Sequence, residues 1–420
     1  MENKKIILNS IKTDFLNHIF IISIGLLFPL LIFLKGPGQQ TYSVHEIAIW
    51  LIILFFFVLA SQYKNRRKIP PLYTIVILLF ILYQLLISLF ADLYLSAATS
   101  LLIHNKYVLI SFLVPCFVVS GRDEKFLLLN FVFISLVVIY YVVYKFIQNP
   151  QLLQVIESKS RETSVFPNSS MLGVYLASIF FLQILLIDTM KRYSMKAALM
   201  ILVLFPSLLI IILTFSRRAW MAFLLSIFLY FLLHKKKRFV LSVVALLFFV
   251  VFTRIDYQSV MQRFMLSFDS SFEANTVRLE QAAEGYELIS RSVFYMIGGL
   301  GTGAAGPAVI YSGNSNFKQV DSYILQLILE YGIVGLLLYL VIFGVVCFLF
   351  IKTYKNYRQY NDPRLHSIVS YFLSLLILFI SGFVGSTPIT FPFNLLQWMF
   401  FGLILHHYTM SKSVNSKKTN

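Results

Sequence analysis

Two arginines stand where a charge is costly and where no acidic neighbour can pair with them along a helix. Arg217 follows the apolar run that ends Leu213-Thr-Phe-Ser216, and Arg278 lies on a segment rich in glutamate. None of the residues three or four positions from either arginine is acidic, so a helical ion pair cannot neutralise them. Such a cation at a membrane boundary either snorkels to the interface or binds an anion. A guanidinium fork matches phosphate geometry, so the functional alternative is an anion site that faces an outer cavity.

Three further arginines are candidates for contacts with the same anion. Arg218 is the immediate neighbour of Arg217. Arg291 and Arg161 each follow a glutamate by four residues, the orientation that favours a helical ion pair. For Arg291 the pair with Glu287 is the favoured interpretation, whereas for Arg161 pairing and substrate contact remain equal alternatives.

Asp321 is the acidic residue that precedes the apolar helix starting near Tyr323. An acid at the mouth of a membrane cavity can act as a general base, and it can equally cap the helix N-terminus. Both alternatives stay open. The histidines are scattered without zinc-ligand spacing, and no Ser/His/Asp arrangement is readable. We therefore expect no metal and no cofactor.

The long segment between Arg217 and Asp321, which contains Arg278, has structure of its own. Helical spacing predicts an amphipathic helix near 271–297, whose Leu279, Tyr286 and Ile289 face should rest on the membrane or on helix ends, as a lid. The glycine-rich stretch Gly298–Gly306 should end this helix. It can form either a flexible or close-packed turn or a backbone cradle for an anion.

These residues must be positioned by membrane helices. The chain of 420 residues is 59% hydrophobic and 13% charged, and its apolar residues form blocks of about 20 residues. The sequence predicts an all-α polytopic membrane protein with about twelve transmembrane helices. Residues 1–253 should hold nine of them, 254–322 the large outer loop, 323–410 the last three, and 411–420 a basic tail. The predicted helices are 17–34, 46–63, 71–90, 101–120, 126–147, 169–189, 197–214, 219–234, 239–253, 332–351, 367–387 and 393–410.

The net charge of +17 is a topology signal in such a chain. Basic clusters occupy alternate loops and both tails, which places both termini in the cytoplasm of a bacterial-type inner membrane. The first helix should be an uncleaved membrane span. Nucleic acid is not expected as a partner, because the basic residues are distributed among short loops. No phosphate-binding GxxxxGK[ST] motif occurs, which disfavours ATP-driven transport.

Three ordered motifs give the chain a resemblance to a known family. Thr214-Phe-Ser-Arg217-Arg-Ala-Trp220 comes first, and Thr276-Val-Arg278-Leu-Glu follows, with Gly299-Leu-Gly-Thr-Gly303 after its helix. The third runs from Asp321-Ser-Tyr to Glu330-Tyr-Gly332-Ile-Val-Gly335. A looser match is Phe166-Pro-Asn-Ser-Ser-Met-Leu-Gly173. Together they resemble the O-antigen ligase and O-antigen or capsular polysaccharide polymerase superfamily over about residues 160–345.

The resemblance implies a metal-independent membrane glycosyltransferase for polysaccharide biosynthesis, of the kind that builds capsule or lipopolysaccharide. Its donor would be an oligosaccharide on undecaprenyl pyrophosphate, within the membrane lipid, and a chain-length regulator and a flippase are further candidate partners. Arg217 and Arg278 would bind the pyrophosphate, Asp321 would activate the acceptor, and Arg161, Arg218 and Arg291 would bind substrate. The ligase branch has histidine where this chain has Asp321, so the polymerase branch is favoured. A ligase and a lipid-linked oligosaccharide transporter are the alternatives.

Overall fold

Most of the chain that the structure describes is helical. The structure, a computed structural model, describes residues 15–24, 44–62, 69–91, 94–105, 107–148, 169–214, 216–233, 273–305, 320, 322–385 and 392–416, and no β-strand occurs among them. Within these ranges, six helices are long and apolar enough to cross a membrane, and Ile49–Ala60 and Val108–Phe117 are shorter apolar helices. The predicted all-α polytopic membrane fold is confirmed. The predicted helix 239–253 and most of 17–34 lie outside the described residues.

The helices follow the apolar blocks of the sequence closely. Proline at the first position of α2 and serine caps at α11 and α12 mark starts that the sequence encodes locally. A π-helical turn, Met200–Leu204, makes α7 and α8 continuous. The helices are α1 Val44–Gln62, α2 Pro71–Ser88, α3 Tyr94–Asn105, α4 Val108–Phe117, α5 Gly121–Gln148, α6 Ser169–Thr189, α7 Tyr193–Leu199, α8 Phe205–Leu213, α9 Arg217–Leu233, α10 Glu273–Ser290, α11 Val293–Gly298, α12 Tyr323–Gln359, α13 Leu365–Val384 and α14 Phe393–Ser416.

The centre of the bundle is formed by α6, α13 and α14. Helix α6 is buried along almost its whole length, and α14 is buried from Phe393 to Tyr408. Apolar side chains gain little from leaving lipid, so close backbone approach is what holds such helices together. Gly402 of α14 illustrates it, because a Cβ atom there would lie 2.7 Å from Cβ of Val114 in α4.

The predicted helix 332–351 begins nine residues earlier and is broken. Helix α12 starts at Tyr323, and Gly332 inside it has φ 64° and ψ −167°, outside the helical region. A short helical segment, Tyr323–Tyr331, therefore precedes the long membrane helix. We call Tyr323–Tyr331 the platform segment.

The predicted outer helix 271–297 is present as two helices. It is divided into α10 and α11, because the chain leaves the helix at Ser292, whose side chain caps α11 by accepting from the N–H of Phe294. Leu279 and Tyr286 of its apolar face are 59% and 65% exposed, so they do not rest on helix ends, and contact of this face with the membrane stays a prediction. Of the three predicted contact residues, only Ile289 packs on the cluster that includes Leu325 and Leu329.

The two ends of the bundle differ in charge. The hydroxyl of Tyr354 donates to the backbone oxygen of Leu233 at 3.0 Å, so the C-terminal parts of α9 and α12 lie side by side. Their N-termini consequently share the other end, which we call the loop end because α10 and α11 pack there. The opposite end, the basic end, carries Lys352, Lys355, Arg358, Arg364 and Lys412.

A buried polar network joins four helices at the basic end. The Tyr371 hydroxyl donates to Oε1 of Glu124 at 2.6 Å, and Nε2 of His407 lies 3.2 Å from the same oxygen. Tyr357 in turn contacts Nδ1 of His407 at 3.2 Å. Each buried polar group is thereby hydrogen-bonded, as a low-dielectric interior requires. The network ties α5 to α12, α13 and α14.

Candidate functional site

Arg217 and Arg218 form the first turn of α9 at the loop end. The Ser216 hydroxyl accepts from the N–H of Ala219 at 3.3 Å, and the Trp220 indole donates to the Ile211 oxygen at 2.9 Å. These bonds fix the start of α9 just after the apolar run. Both arginines are half-buried. Cations are usually found at helix C-termini, because the N-terminus already carries partial positive charge. Two arginines here therefore create a strongly electropositive helix start.

A pair of serine hydroxyls holds one of these arginines. Nε of Arg218 donates to Oγ of Ser170 at 2.5 Å, and Oγ of Ser170 lies 2.7 Å from Oγ of Ser216. Ser170 belongs to the first turn of α6, 48 residues before Arg218. Neither serine is among the site residues predicted from the sequence. Ser170 lies inside the weaker motif Phe166–Gly173, which was the available signal.

Gly173 explains why that motif is needed beside the arginines. A Cβ atom at this position would lie 2.7 Å from Oγ1 of Thr214 and 3.0 Å from Cβ of Ala219. Helix α6 can approach the start of α9 this closely because residue 173 has no side chain. The two motifs are thus one packed unit at the loop end.

Arg278 lies on the face of α10 that is turned toward the protein. The less exposed positions of this helix include Arg278, Gln281, Gly285 and Ile289, which follow helical spacing. Gly285 approaches the platform segment, since a Cβ atom there would lie 3.2 Å from Leu329. Among the described residues, Nε of Arg278 is buried and has no hydrogen-bond partner. A buried guanidinium N–H without an acceptor is costly, so an anionic ligand would relieve that cost.

The glycine loop, which we define as residues 299–305, is a close-packed turn. Gly299, Gly301 and Gly303 have φ values of 84°, 106° and 81°, which favour glycine. Leu300 donates its N–H to the Leu329 oxygen at 2.7 Å, and Ala305 donates its N–H to Oε1 of Glu330 at 3.3 Å. Because protein acceptors take these N–H groups and one acceptor is a carboxylate, these bonds favour the close-packed turn over an anion cradle.

The comparison with known families matches this part of the chain. Residues 202–340 match the family model described as O-antigen ligase. This match supports the resemblance of the chain to the O-antigen ligase and polymerase superfamily. The match extends from the π-helical turn before α8 into α12, and so contains Arg217, Arg278, the glycine loop and Glu330. A search of curated proteins found no match.

The match to the O-antigen ligase family implies a general activity for the protein. The protein is a multi-pass membrane enzyme of the glycosyl-transfer type that handles glycans. Its matched segment contains both arginines that the sequence singled out, together with α10 and α11, which pack at the loop end.

The remaining predicted site residues of this O-antigen ligase-type protein have different positions. Arg291 pairs with Glu287 at 3.2 Å, and both side chains are largely exposed, so the favoured helical pair is present. Asp321 and Arg161 lie outside the described residues. Ser322, next to Asp321, is the N-cap of α12 and accepts from the N–H of Leu325 at 3.3 Å. The cap alternative considered for Asp321 is therefore filled by its neighbour.

Proposed function

We propose that the protein is a polysaccharide polymerase that joins repeat units carried on undecaprenyl pyrophosphate. The reaction takes place on the outer face of the cytoplasmic membrane, at the loop end of the bundle. One observation carries the proposal. Among the described residues, the Nε–H of Arg278 is buried without a hydrogen-bond acceptor, and it lies in the segment that matches the O-antigen ligase family. A pyrophosphate oxygen supplies the acceptor that this group lacks, with the charge-assisted geometry that guanidinium favours.

The chemistry follows from where charge develops. A hydroxyl oxygen of the acceptor sugar attacks the anomeric carbon of the donor glycan, and the bond from that carbon to the phosphate oxygen breaks. The proton passes to Asp321, and undecaprenyl pyrophosphate leaves with the electron pair. Arg217 and Arg278 stabilise the negative charge that grows on the leaving group, which is the largest available catalytic term. Their positive charge fills the role of a metal ion, so the proposed reaction uses none.

The other arginines contribute to substrate binding in this proposal. Arg218, held by Ser170, extends the positive surface at the start of α9 toward the phosphates. Arg161 and Arg291 contact the glycan or phosphate from the outer segments. Arg291 would do so while paired with Glu287, because that pair is exposed and interchange with a substrate anion costs little.

The orientation of the bundle gives the first testable expectation. Basic residues gather at the basic end, so the positive-inside rule places that end in the cytoplasm and the loop end outside. A cysteine introduced for Ser315 should react with a membrane-impermeant maleimide in intact cells, whereas one introduced for Lys236 should react only after permeabilisation. Cys116 and Cys347 would first be replaced by serine. Labelling of position 236 alone in intact cells would overturn the proposed side of the reaction.

The activity itself is tested with purified protein and one lipid-linked substrate. Incubation with an undecaprenyl-pyrophosphate oligosaccharide should give a ladder of products that differ by one repeat unit, without added nucleotide and in the presence of a chelator. The matched family model is described as O-antigen ligase, so ligation is the second candidate function. Transfer of a single glycan to lipid A core with no ladder would identify a ligase. Movement of substrate across vesicles without new glycosidic bonds would instead indicate a transporter.

A further inference from the structure

Glu330 is a carboxylate that the protein buries completely at the break in α12. Its side chain is 0% exposed. Oε1 accepts from Nε2 of Gln326 at 3.0 Å and from the N–H of Ala305 at 3.3 Å. A buried acid costs free energy that hydrogen bonds only partly return, and an apolar residue of similar volume is often no less stable. Stability alone therefore does not explain a carboxylate at this position.

Glu330 fastens the far end of the glycine loop to the platform segment. The near end is held by the bond from Leu300 to the Leu329 oxygen. Beside the near end the two backbones are in direct contact, since a Cβ atom on Gly299 would lie 2.5 Å from the carbonyl of Glu330. Tyr83 of α2 donates to the Tyr331 oxygen at 2.8 Å, which satisfies a carbonyl freed by the break. The loop and the platform segment are thus one rigid junction.

The same platform segment supports the helix that carries Arg278. Gly285 of α10 lies against Leu329, and Ile289 packs on a small apolar cluster that includes Leu325 and Leu329. Ala305 and Val320, at the end of the glycine loop and just before α12, complete this cluster. The N–H of Ala305 is the group that Glu330 holds. Displacing the loop would therefore loosen the surface on which α10 rests.

We propose that Glu330 is a positioning residue for the transfer reaction. By holding the glycine loop on the platform segment, it fixes α10 and sets where the Arg278 guanidinium meets the donor. The role rests on the proposed function to the extent that Arg278 binds the pyrophosphate. Glu330 does not touch the substrate, because it is buried beneath the loop.

The activity test compares two substitutions of different chemistry. Glu330→Leu fills the same space without an acceptor, and should lower kcat about a hundredfold, as a misplacement of about 1 Å can do. Glu330→Gln keeps an acceptor oxygen for Ala305 and should stay within about tenfold of the parent. In an Arg278→Lys background, Glu330→Leu should lower kcat by less than about threefold beyond the loss caused by Arg278→Lys. Substitutions of residues that act through one another do not have additive effects. Thr353→Val, at a buried site in the same helix, is the matched control and should leave kcat unchanged.

A distance measurement gives a readout that does not depend on activity. Spin labels at Glu280→Cys on α10 and Tyr360→Cys at the end of α12, with the native cysteines replaced, should show one narrow distance distribution in the parent, Glu330→Gln and Thr353→Val. Glu330→Leu should broaden it, and Glu330→Ala is the substitute if the leucine variant does not fold. If Glu330→Leu broadens the distance distribution but the parent protein makes no polymer, the positioning role is kept and the polymerase assignment is overturned. An unchanged distribution, or losses that multiply with Arg278→Lys, would overturn the role of Glu330.

Discussion

Arg278→Lys should remove most of the transfer activity while leaving the folded protein intact. Lysine keeps the positive charge but lacks the Nε–H, which among the described residues is buried without an acceptor, and it cannot bind two phosphate oxygens as a fork. Removing one donor aimed at developing negative charge costs about a hundredfold to a thousandfold in kcat. Arg217→Lys should show a loss of similar size, because Arg217 lies in the electropositive first turn of α9. The measurement is the rate at which purified protein forms the ladder of polymer products at saturating lipid-linked oligosaccharide.

The control for this prediction is the same exchange at the other end of the bundle. Arg358→Lys replaces a guanidinium that lies 5.9 Å from the Tyr354 ring centroid at the basic end, and it should leave the rate unchanged. Elution as a single species in detergent would show that all three variants fold. Normal laddering by both Arg217→Lys and Arg278→Lys would mean that the proposed pyrophosphate site is wrong. A structure with the two guanidinium groups on opposite sides of the bundle would contradict it equally.

The membrane helices could be predicted because each is encoded within its own segment. Helix α6 has the predicted bounds, 169–189, and α2 ends two residues before the predicted 90. The length of an apolar block and its flanking charges are local properties. In lipid, the backbone N–H and C=O groups must also form their hydrogen bonds within each segment. The predicted helix 101–120 is divided, because α3 ends at Asn105, whose side chain donates to Gln84 of α2 at 2.8 Å, and α4 begins at Val108. A contact across the bundle, invisible in the local pattern, decides that boundary.

The candidate site could be predicted by residue type and only partly by geometry. Arg217, Arg218 and Arg278 lie at the loop end, whereas Leu279 and Tyr286 of α10 do not make the helix-end contacts that the sequence allowed. Apolar spacing predicts which side chains avoid water without distinguishing lipid from protein as their partner, and the packed face of α10 includes Gly285 and Arg278. The Ser170 contact and the burial of Glu330 depend on tertiary packing, so the sequence could at most point to the motif Phe166–Gly173 around Ser170 and not to the contacts themselves.

Gly332→Ala should separate α10 and α11 from the bundle. Residue 332 has φ 64° and ψ −167°, a conformation that is essentially restricted to glycine. The space is also closed, since a Cβ atom there would lie 2.1 Å from the oxygen of Ile297 and 2.7 Å from the nitrogen of Gly298. Both are backbone atoms of α11, so they cannot move aside as a flexible side chain could. The substitution must therefore straighten α12 or push α11 off the platform segment.

The expected result is a loss of transfer activity of more than about a hundredfold, because a misplaced α10 carries Arg278 away from the donor. Gly344→Ala is the matched control in the same helix, since a Cβ atom there meets nothing within 4 Å. That variant should keep its activity and gain about 0.5–1 kcal/mol of helix stability. Limited proteolysis of the purified proteins provides a second measurement, with faster cleavage between α10 and α12 expected for Gly332→Ala alone. If Gly332→Ala resists proteolysis and transfers glycan like Gly344→Ala, the break in α12 does not hold the outer helices in place.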